Sequence, residues 1–254
     1  MSSLRARCPD CRTLTAVALG PGYQCHACGR EFLAGLVRVP AAWGAGGEAM
    51  AAAASLELPY PETGVVRSDS LDAQTDVLAR MLPERPLVLG GCCCAHVGAV
   101  TGLAARGALA VVWLDAHGDL NTPETSPSGN DWGMPLRMLL DRELVRPKDT
   151  ALVGARSLDP PEAEYLSVSG IDDSLDRALS EVEDVYVALD MDVLEPGEAA
   201  CFMPEPGGPS VPAIEALLQE VAERRRVVGM GVTGLVPDAG NAAVVTRLLT
   251  AAGL

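Results

Sequence analysis

The sequence is short of basic residues and contains no long apolar segment. Its 19 Lys and Arg residues face 34 Asp and Glu residues, so the 254-residue chain has a formal net charge of -15. Nucleic-acid phosphates attract positively charged surfaces, so we do not expect this chain to bind nucleic acid. No stretch approaches the roughly 18 consecutive apolar residues of a membrane-spanning helix, and the N-terminus lacks the apolar core of a signal peptide. We expect a cytoplasmic protein without a membrane partner.

The distribution of apolar residues predicts one sizeable α/β domain with a small N-terminal appendage. Hydrophobic residues make up 48% of the chain, which is enough for a substantial core. Short apolar runs predict strands, and segments with apolar residues along one side predict helices. The predicted strands cover residues 36–40, 87–89, 108–114, 185–189 and 227–232, and the predicted helices lie within 41–54, 68–81, 212–224 and 238–254. The predicted domains are residues 1–34 and 35–254.

Four of the eight cysteines form two C-x-x-C pairs near the N-terminus. They are Cys8 with Cys11 and Cys25 with Cys28, with thirteen residues between the pairs. This spacing is typical of a four-thiolate zinc ribbon, and iron in a rubredoxin-like site is the main alternative. Two disulfides are not expected in a reducing cytosol. His26 lies inside the second pair and is expected to be a bystander.

The ribbon, residues 1–34, is locally basic on an acidic protein. Its charged residues are Arg5, Arg7, Arg12 and Arg30 against Asp10 and Glu31. Such a patch could dock on an acidic partner or on the main domain. The commoner role of a ribbon is a closed structural site, in which the metal folds a segment too short to have a core.

A strand end near the middle of the chain carries three ligand-type side chains. The apolar run 108–114 predicts a buried strand of a parallel sheet, and Asp115, His117 and Asp119 follow it at alternate positions. On extended backbone this spacing puts all three on one face. A D-x-H pattern by itself is equally typical of a hydrated strand end, so a site requires a second observation.

A second apolar run, 185–189, ends in the same way. It leads into Asp190 and Asp192, again two carboxylates at alternate positions. Open α/β sheets place their sites at strand ends, so the two groups are expected to converge. Four carboxylates and one imidazole would repel one another without a cation between them. Oxygen-rich ligands with one imidazole suit Mn²⁺ or a similar ion, and a site this acidic has room for two.

Seven motifs follow one another between about residue 37 and residue 237. They are Leu89-Gly90-Gly91, the D-A-H-x-D run from Asp115, Asn121-Thr122-Pro123, Ser128-Gly129-Asn130, Gly154-Ala155-Arg156 with Asp159 and Glu162, Asp190-Met191-Asp192, and Pro204-Glu205-Pro206-Gly207-Gly208. In this order they resemble the ureohydrolase family, which includes arginase, agmatinase and formiminoglutamase. The resemblance implies a three-layer α/β/α sandwich with a mostly parallel sheet. It also implies a pair of Mn²⁺ ions bridged by the hydroxide that attacks the substrate carbon.

The first of these motifs departs from the family pattern. Relatives usually carry Gly-Gly-Asp-His-Ser, in which the His ligates one metal, and the resemblance puts Cys93 at that position. A thiolate there would favour a softer ion than Mn²⁺. His96 is an alternative ligand if a helix begins at residue 93, because it would then stand one turn further on. The third interpretation is that the cysteines at 92–94 only pack in a tight strand-to-helix turn.

The resemblance also assigns substrate-binding residues. Asn121, Ser128 and Asn130 match positions that hold the α-carboxylate and amino group of the substrate in arginase-like relatives. Asp159 matches a residue that contacts the α-amino group. Polar loop residues of this kind are usually turn formers. Within so close a motif match they predict a substrate with a free amino-acid end.

Two further departures concern the chemistry. Trp132 stands where relatives have a His that assists proton transfer to the departing amine, and Trp cannot carry a proton. Gly234 stands where relatives have the Glu that binds the guanidinium, and its loss leaves that cation unpaired. Arginine is therefore not the expected substrate. The candidate catalytic residues are Asp119, which would hold metal and activate water, and Trp132, which could stack on a planar or cationic group.

Three functions are consistent with these features. The first, which we favour, is a ureohydrolase-type metallohydrolase that cleaves a C–N bond, other than a peptide bond, in a small amidine or guanidino compound. The second is a deacetylase-like hydrolase with one metal on Asp115, His117 and Asp190, against which the retention of Asp119 and Asp192 argues. The third is a catalytically silent relative that binds a ligand or a protein partner, with the ribbon as docking module. The sequence leaves a homo-oligomer open.

Overall fold

The computed structural model describes residues 5–6, 8, 10–11, 13, 15–19 and 22–254. Its strands are β1 Arg5–Ala6, β2 Ala16–Leu19, β3 Gly22–Cys25, β4 Glu31–Phe32, β5 Ala34–Val39, β6 Glu62–Val65, β7 Arg85–Gly90, β8 Ala110–Leu114, β9 Thr150–Val153, β10 Asp184–Asp190 and β11 Arg226–Thr233. Its helices are α1 Glu48–Ala53, α2 Leu71–Met81, α3 Cys94–Ala104, α4 Pro135–Asp141, α5 Pro160–Ser169, α6 Leu175–Ala178, α7 Val211–Arg224 and α8 Asn241–Ala251.

A seven-stranded sheet forms the centre of the main domain. Its strand order is β6-β5-β7-β11-β10-β8-β9, and every neighbouring pair is parallel. All residues of β7 and β8 are buried, because helices cover both faces of the sheet. Parallel strands buried on both faces consist of continuous apolar runs, and this is the pattern from which β5, β7, β8, β10 and β11 were predicted.

Helices cover the two faces of the sheet in separate layers. On one face, α2, α3 and α4 pack on the sheet through buried residues such as Leu78, Val97 and Leu136. On the other, α7 and α8 pack through residues such as Ile214 and Leu248. Alternate residues of each strand enter the two cores because successive side chains of a strand point to opposite faces. The predicted three-layer α/β/α sandwich with a parallel sheet is confirmed.

The two edge strands of this sheet, β6 and β9, were not predicted. Three of the four residues of β6 are exposed and the fourth is half-buried, so that strand has no apolar run. β9 is only four residues long and includes the polar Thr150. Both strands form by pairing with a buried neighbour, β5 or β8. Such pairing is a tertiary contact, and apolar patterning does not report it.

The N-terminal ribbon forms a sheet of its own. Strands β1 to β4 are antiparallel neighbours in chain order, and the rings of Tyr23 and Phe32 stack with their centroids 5.6 Å apart. Only Leu33 separates β4 from β5 of the main sheet. The division of the chain after residue 34 stays a prediction.

Charged contacts join the ribbon to the main domain. The Arg30 guanidinium donates to Glu84 at 2.7 Å and lies 3.6 Å from Asp10. Arg7 and Arg12, together with the side chain of Arg5, lie outside the described residues. The described part of the predicted basic patch therefore contacts the chain's own acidic groups.

None of the helices within the described ranges is long and apolar enough to cross a membrane.

Candidate metal centre

Two neighbouring strands carry the predicted carboxylates to one edge of the sheet. Leu114, the last residue of β8, pairs with Leu189 of β10, so that Asp115 and Asp190 come next to each other at the strand ends. The turn after β7 brings Cys93 to the same edge from the other side of β10 and β11. Parallel strands end at a common edge, which is where open α/β sheets form their sites.

The side chains form two adjoining groups with ligand atoms within 4.8 Å of one another. One consists of Cys93, Asp115 and Asp190, and the other of Asp115, His117 and Asp192. Asp115 belongs to both. Its carboxylate would therefore be available to a cation in either group.

The backbone beyond Asp115 differs from the extended chain that the sequence suggested. The strand ends at Leu114, His117 forms an isolated bridge with Ser157, and Asp119 has a positive φ of 51°. A non-glycine residue in this region is strained, and such strain collects at functional sites. The three side chains thus reach one cavity through an irregular turn and not through strand alternation. Asp119 lines that cavity but belongs to neither of the two groups.

Burial and mutual repulsion raise the pKa values of the aspartates. Burial, with the charge of Asp192, raises the pKa of Asp190 to about 7. Burial, with the charge of Asp115, raises that of Asp192 to about 6. The pKa of Asp119 lies well above its ordinary value because of burial and the charges of Asp115 and Asp190. The ionised form of each aspartate is thus disfavoured here unless a positive charge lies beside it.

His117 is the one imidazole of the cluster. Its Nδ1 lies 3.0 Å from Asp192 Oδ2 and 3.5 Å from Asp115 Oδ1. Burial by itself lowers the pKa of His117, but hydrogen bonds to Asp115 and Asp192 outweigh it and raise the pKa to about 11. A cation bound in place of the proton would take over the same carboxylate contacts.

Two polar atoms of the cluster support a resident cation. Asp119 is 4% exposed, and its Oδ2 is buried without a hydrogen-bond partner among the described residues. His117 Nε2 is also buried, with no hydrogen-bond partner in the described ranges, and Glu205 Oε1 stands 3.8 Å away. Buried polar atoms normally have partners, so orphaned ones indicate a ligand or ion. The oxygen, nitrogen and sulfur donors fit divalent metal ions.

Cys93 and His96, the two alternative ligands, occupy different environments. The Cys93 thiol faces Asp190, with Sγ 3.0 Å from Oδ2. His96 is fully buried in α3, with its ring nitrogens 2.9 Å from the Tyr186 hydroxyl and 3.1 Å from Thr233 Oγ1. Burial lowers the pKa of His96 to about 3. His96 is therefore neutral and both of its ring nitrogens are occupied by hydrogen bonds, whereas Cys93 faces the carboxylates.

A cavity of about 350 Å³ opens over the cluster. Of the predicted substrate residues, Asn121, Ser128 and Asp159 line it, and Asn121 Nδ2 donates to Asp159 Oδ2 at 2.9 Å. Asn130 is not among the lining residues; its side-chain oxygen accepts a hydrogen bond from the backbone of Ala45 at 2.9 Å. Three of the four predicted substrate residues thus line the cavity.

Trp132 is one of the apolar residues that line the cavity. It stands edge-on to Phe202, with ring centroids 5.8 Å apart, and both rings line the cavity. Gly44 and Gly47 leave room for the indole, because a Cβ at either would overlap with it. The indole is thus built into the wall and offers a substrate a flat apolar face.

Gly234, which the resemblance matches to a guanidinium-binding Glu, lies directly against Asp190. Its φ is +73°, and a Cβ placed on it would lie 2.5 Å from Asp190 Cγ. Its carbonyl accepts a hydrogen bond from Phe202 at 2.7 Å, and its N–H donates to Gly91 at 3.1 Å. The residue is locked against the carboxylate, and no side chain fits there.

Two residues that support the site were not among the predicted site residues. Thr233 Oγ1 lies 3.2 Å from Cys93 Sγ and 3.3 Å from Asp190 Oδ2. Arg156 donates to four carbonyls, including those of Asp192 at 3.0 Å and Glu205 at 2.8 Å. Thr233 is a polar residue at the end of a buried strand, the signal that identified Asp115. No local sequence pattern indicates that Arg156 donates to these carbonyls.

Comparison with known proteins agrees with this geometry. A model of the arginase family matches residues 50–253. Arginase from Bacillus subtilis (strain 168) is 38% identical over 144 residues, which are 45% of this chain and 48% of that protein. The chain thus matches about half the length of such curated relatives.

Solved structures of the family have the same fold. A crystal structure of arginase from Bacillus subtilis superposes with a TM-score of 0.73 and 26% identity, covering 85% of this chain and 98% of that one. Entamoeba histolytica arginase in complex with L-ornithine gives a TM-score of 0.75 at 19% identity, covering 87% and 98%, which shows the fold alone. Since the family match extends over residues 50–253, the chain belongs to the arginase family.

Proposed function

We propose that this protein is a metal-dependent hydrolase that cleaves a C–N bond, other than a peptide bond, in an amidine or guanidino compound. The observation that carries the proposal is the pair of ligand groups joined through Asp115 at the floor of the cavity. Family membership supports the reaction class. The arrangement also agrees with two ions better than with the single ion of a deacetylase-like site, because His117 and Asp192 form a group apart from Cys93.

The roles of the site residues follow from their placement. Cys93, Asp115 and Asp190 would hold one ion and Asp115, His117 and Asp192 the other, with the free Asp119 oxygen available to them. When bound, divalent ions such as Mn²⁺ polarise the substrate and make water a nucleophile at neutral pH. The burial of the carboxylates keeps bulk water from screening their charge.

The cavity walls suggest a substrate other than arginine. Asn121, Ser128 and Asp159 offer hydrogen bonds to an amino-acid end, as the sequence predicted. The closed Gly234 position offers no carboxylate to a guanidinium, and Trp132 replaces a group that could carry a proton. A substrate whose reacting group is held against the flat indole would fit both changes.

The four ribbon cysteines are proposed to hold structural zinc. Sγ of Cys8 lies 3.6 Å from that of Cys28, and Sγ of Cys11 lies 3.5 Å from that of Cys25. A tetrahedron with Zn–S bonds of about 2.3 Å has edges of about 3.8 Å, close to these distances, whereas a disulfide needs about 2.0 Å. Eight free cysteines also suit a reducing compartment, and we infer a cytoplasmic location.

The principal test is the metal content of the purified protein, measured by mass spectrometry. We expect the Asp190→Ala/Asp192→Ala variant to lose about two ions per chain, and the Cys8→Ser/Cys11→Ser variant to lose about one zinc ion. Asp173→Ala, at an exposed position away from the cavity, is the matched control and should lose none. A screen of amidines and guanidino acids for ammonia or urea release then identifies the substrate class.

A catalytically silent, ligand-binding relative is the second candidate, because Trp132 cannot carry a proton. It predicts metal binding without turnover in the screen, and thermal stabilisation by a ligand that the enzyme never cleaves. If the double aspartate variant binds as much metal as wild type after Mn²⁺ is supplied, the hydrolase proposal fails.

A further inference from the structure

We propose that Cys93, Asp115 and Asp190 form a site for a thiophilic divalent ion such as Zn²⁺, held by the Cys93 thiolate, beside an Mn²⁺ ion on Asp115, His117 and Asp192. This inference rests on the proposed function and gives the centre two different metals. Three observations support it. The Cys93 sulfur lies beside the carboxylates, the adjacent Cys92 and Cys94 do not, and the Thr233 hydroxyl contacts the Cys93 sulfur.

The sulfur of Cys93 points between two carboxylates. Sγ lies 3.0 Å from Asp190 Oδ2 and 3.7 Å from Asp115 Oδ2, and the residue is 4% exposed. A small packing residue would place its sulfur among apolar atoms. On binding, the ion replaces the thiol proton, which leaves to solvent, and no other bond changes.

The neighbouring cysteines provide an internal comparison. Cys92 and Cys94 are equally buried, but they pack in a cluster with Met50, Trp132 and other apolar side chains. Only the middle cysteine of the three turns to the carboxylates in the described structure. Cys93 also packs in the apolar core, but its sulfur alone among the three lies within contact distance of Asp115 and Asp190 in the described structure. Packing therefore accounts fully for Cys92 and Cys94, whereas the direction of the Cys93 sulfur fits a ligand role.

The start of α3 fixes this orientation. Cys93 is the N-cap residue of this eleven-residue helix and has helical backbone angles. Gly91 admits the close approach of the Ala41 backbone, which any Cβ at residue 91 would meet. The start of the helix thus sets the direction of the Cys93 side chain. Burial and the neighbouring aspartate charges raise the pKa of its thiol, so a bound cation would have to supply the charge that replaces the thiol proton.

A chain of hydrogen bonds supports the sulfur from behind. Thr233 Oγ1 lies 3.2 Å from Cys93 Sγ and 3.1 Å from His96 Nε2, and His96 Nδ1 lies 2.9 Å from the Tyr186 hydroxyl. With Tyr186 donating to Nδ1, Nε2–H donates to Thr233. The Thr233 hydroxyl proton then has three acceptors within reach, namely Cys93 Sγ, Asp190 Oδ2 and the Leu189 carbonyl. Gly231 leaves room for this chain, because a Cβ there would overlap with the Tyr186 hydroxyl.

The donor sets of the two sites select different ions. A thiolate prefers Zn²⁺, Co²⁺ or Fe²⁺ to Mn²⁺, whereas two carboxylates and an imidazole suit Mn²⁺. Oδ2 of Asp119 is buried and has no hydrogen-bond partner in the part of the chain that the structure describes. It adds a further oxygen to the same cavity and supports, independently of the cysteine, a cation there.

Cobalt spectroscopy on the full chain tests the thiolate bond. Co²⁺–thiolate bonds absorb in the near ultraviolet by charge transfer. The four ribbon cysteines contribute the same absorption in every variant that keeps them, so their signal cancels in a difference spectrum. The difference spectrum of wild type minus Cys93→Ser should therefore show a thiolate band, and wild type minus Cys201→Ser should show none. Cys201 is a free, half-buried thiol outside both ligand groups, which makes it the matched control.

Competition between Zn²⁺ and Mn²⁺ during dialysis gives the second measurement. Cys93→His restores a nitrogen ligand and should shift the Zn-to-Mn ratio at the centre toward Mn by at least about tenfold, the lower end of losses seen when supporting residues of a metal site are changed. A flat difference spectrum for Cys93→Ser, or an unchanged ratio in a folded Cys93→His variant, would overturn the thiolate site.

Asp115→Asn separates this failure from failure of the proposed function. If Asp115→Asn lowers the metal content while Cys93→Ser leaves the spectrum unchanged, the thiolate site is wrong and the metallohydrolase proposal stands. If neither variant changes metal binding, both are wrong.

Discussion

Replacement of Gly234 by Ala should destabilise the fold and disorganise the metal centre together. Gly234 has a φ of +73°, and its Cβ position lies 2.5 Å from Asp190 Cγ. Asp190 cannot move away cheaply, because Cys93, Thr233 and the backbone N–H of Asp192 all contact its carboxylate. The added methyl group therefore meets both a backbone and a packing penalty.

The two penalties can be estimated separately. The left-handed backbone costs a residue with a side chain about 1–2 kcal/mol. Overpacking in a rigid environment adds about 1–3 kcal/mol. Gly170→Ala isolates the first penalty, since Gly170 has a φ of +79° and no described atom within 4 Å of its Cβ position. The difference between the variants should be about 1–3 kcal/mol, or about 2–12 °C in Tm for a chain of this size.

Thermal unfolding of the metal-free and metal-loaded proteins measures this difference. Gly234→Ala should also bind less metal than Gly170→Ala, and Gly234→Glu should fail to create arginine hydrolysis because the carboxylate has no space. If Gly234→Ala is no less stable than Gly170→Ala and keeps its metal, the reasoning about this position is refuted.

Three further predictions concern charge, the loop contacts of Arg156 and the ribbon. In metal-free protein, Asp190→Asn should be more stable than wild type at pH 8, and this difference in stability should shrink as the pH falls below about 7. The reason is that the raised pKa of Asp190 lets the folded wild type take up a proton at a higher pH than the unfolded chain does. A stability difference that does not change with pH in denaturant titrations would contradict this. Arg156→Lys should lose hydrogen bonds to backbone carbonyls worth roughly 1 kcal/mol each, including those of Asp192 and Glu205. The loosened loops should weaken metal binding, measured by calorimetry. An unchanged metal affinity would show that Arg156 does not support the metal site. Cys28→Ser should release the ribbon metal and raise proteolysis before residue 34 while the main thermal transition persists; a joint loss of both would show that the two parts fold as one.

Periodicity and residue chemistry predicted the elements that are buried on both sides. Five apolar runs indicated the central strands, and Asp115 and Asp190 stood out because charged groups directly follow such runs. Edge strands β6 and β9 gave no such signal, since β6 is mostly exposed and β9 is only four residues long, and both form by pairing with a buried neighbour. The backbone conformation at Asp119 was also predicted wrongly, because a turn with positive φ leaves no periodic pattern in the sequence.

The sequence by itself determined which donors are present and in what order they follow the strands. It thereby determined the family, the acidic centre and the four-cysteine ribbon. Only the tertiary structure decided that Cys93, and not its two neighbours, faces the carboxylates, and that Gly234 touches Asp190. Those relations depend on how β7, β10 and β11 end against one another and on where α3 begins. Contacts between distant segments are set by packing of the whole sheet, and no local pattern encodes them.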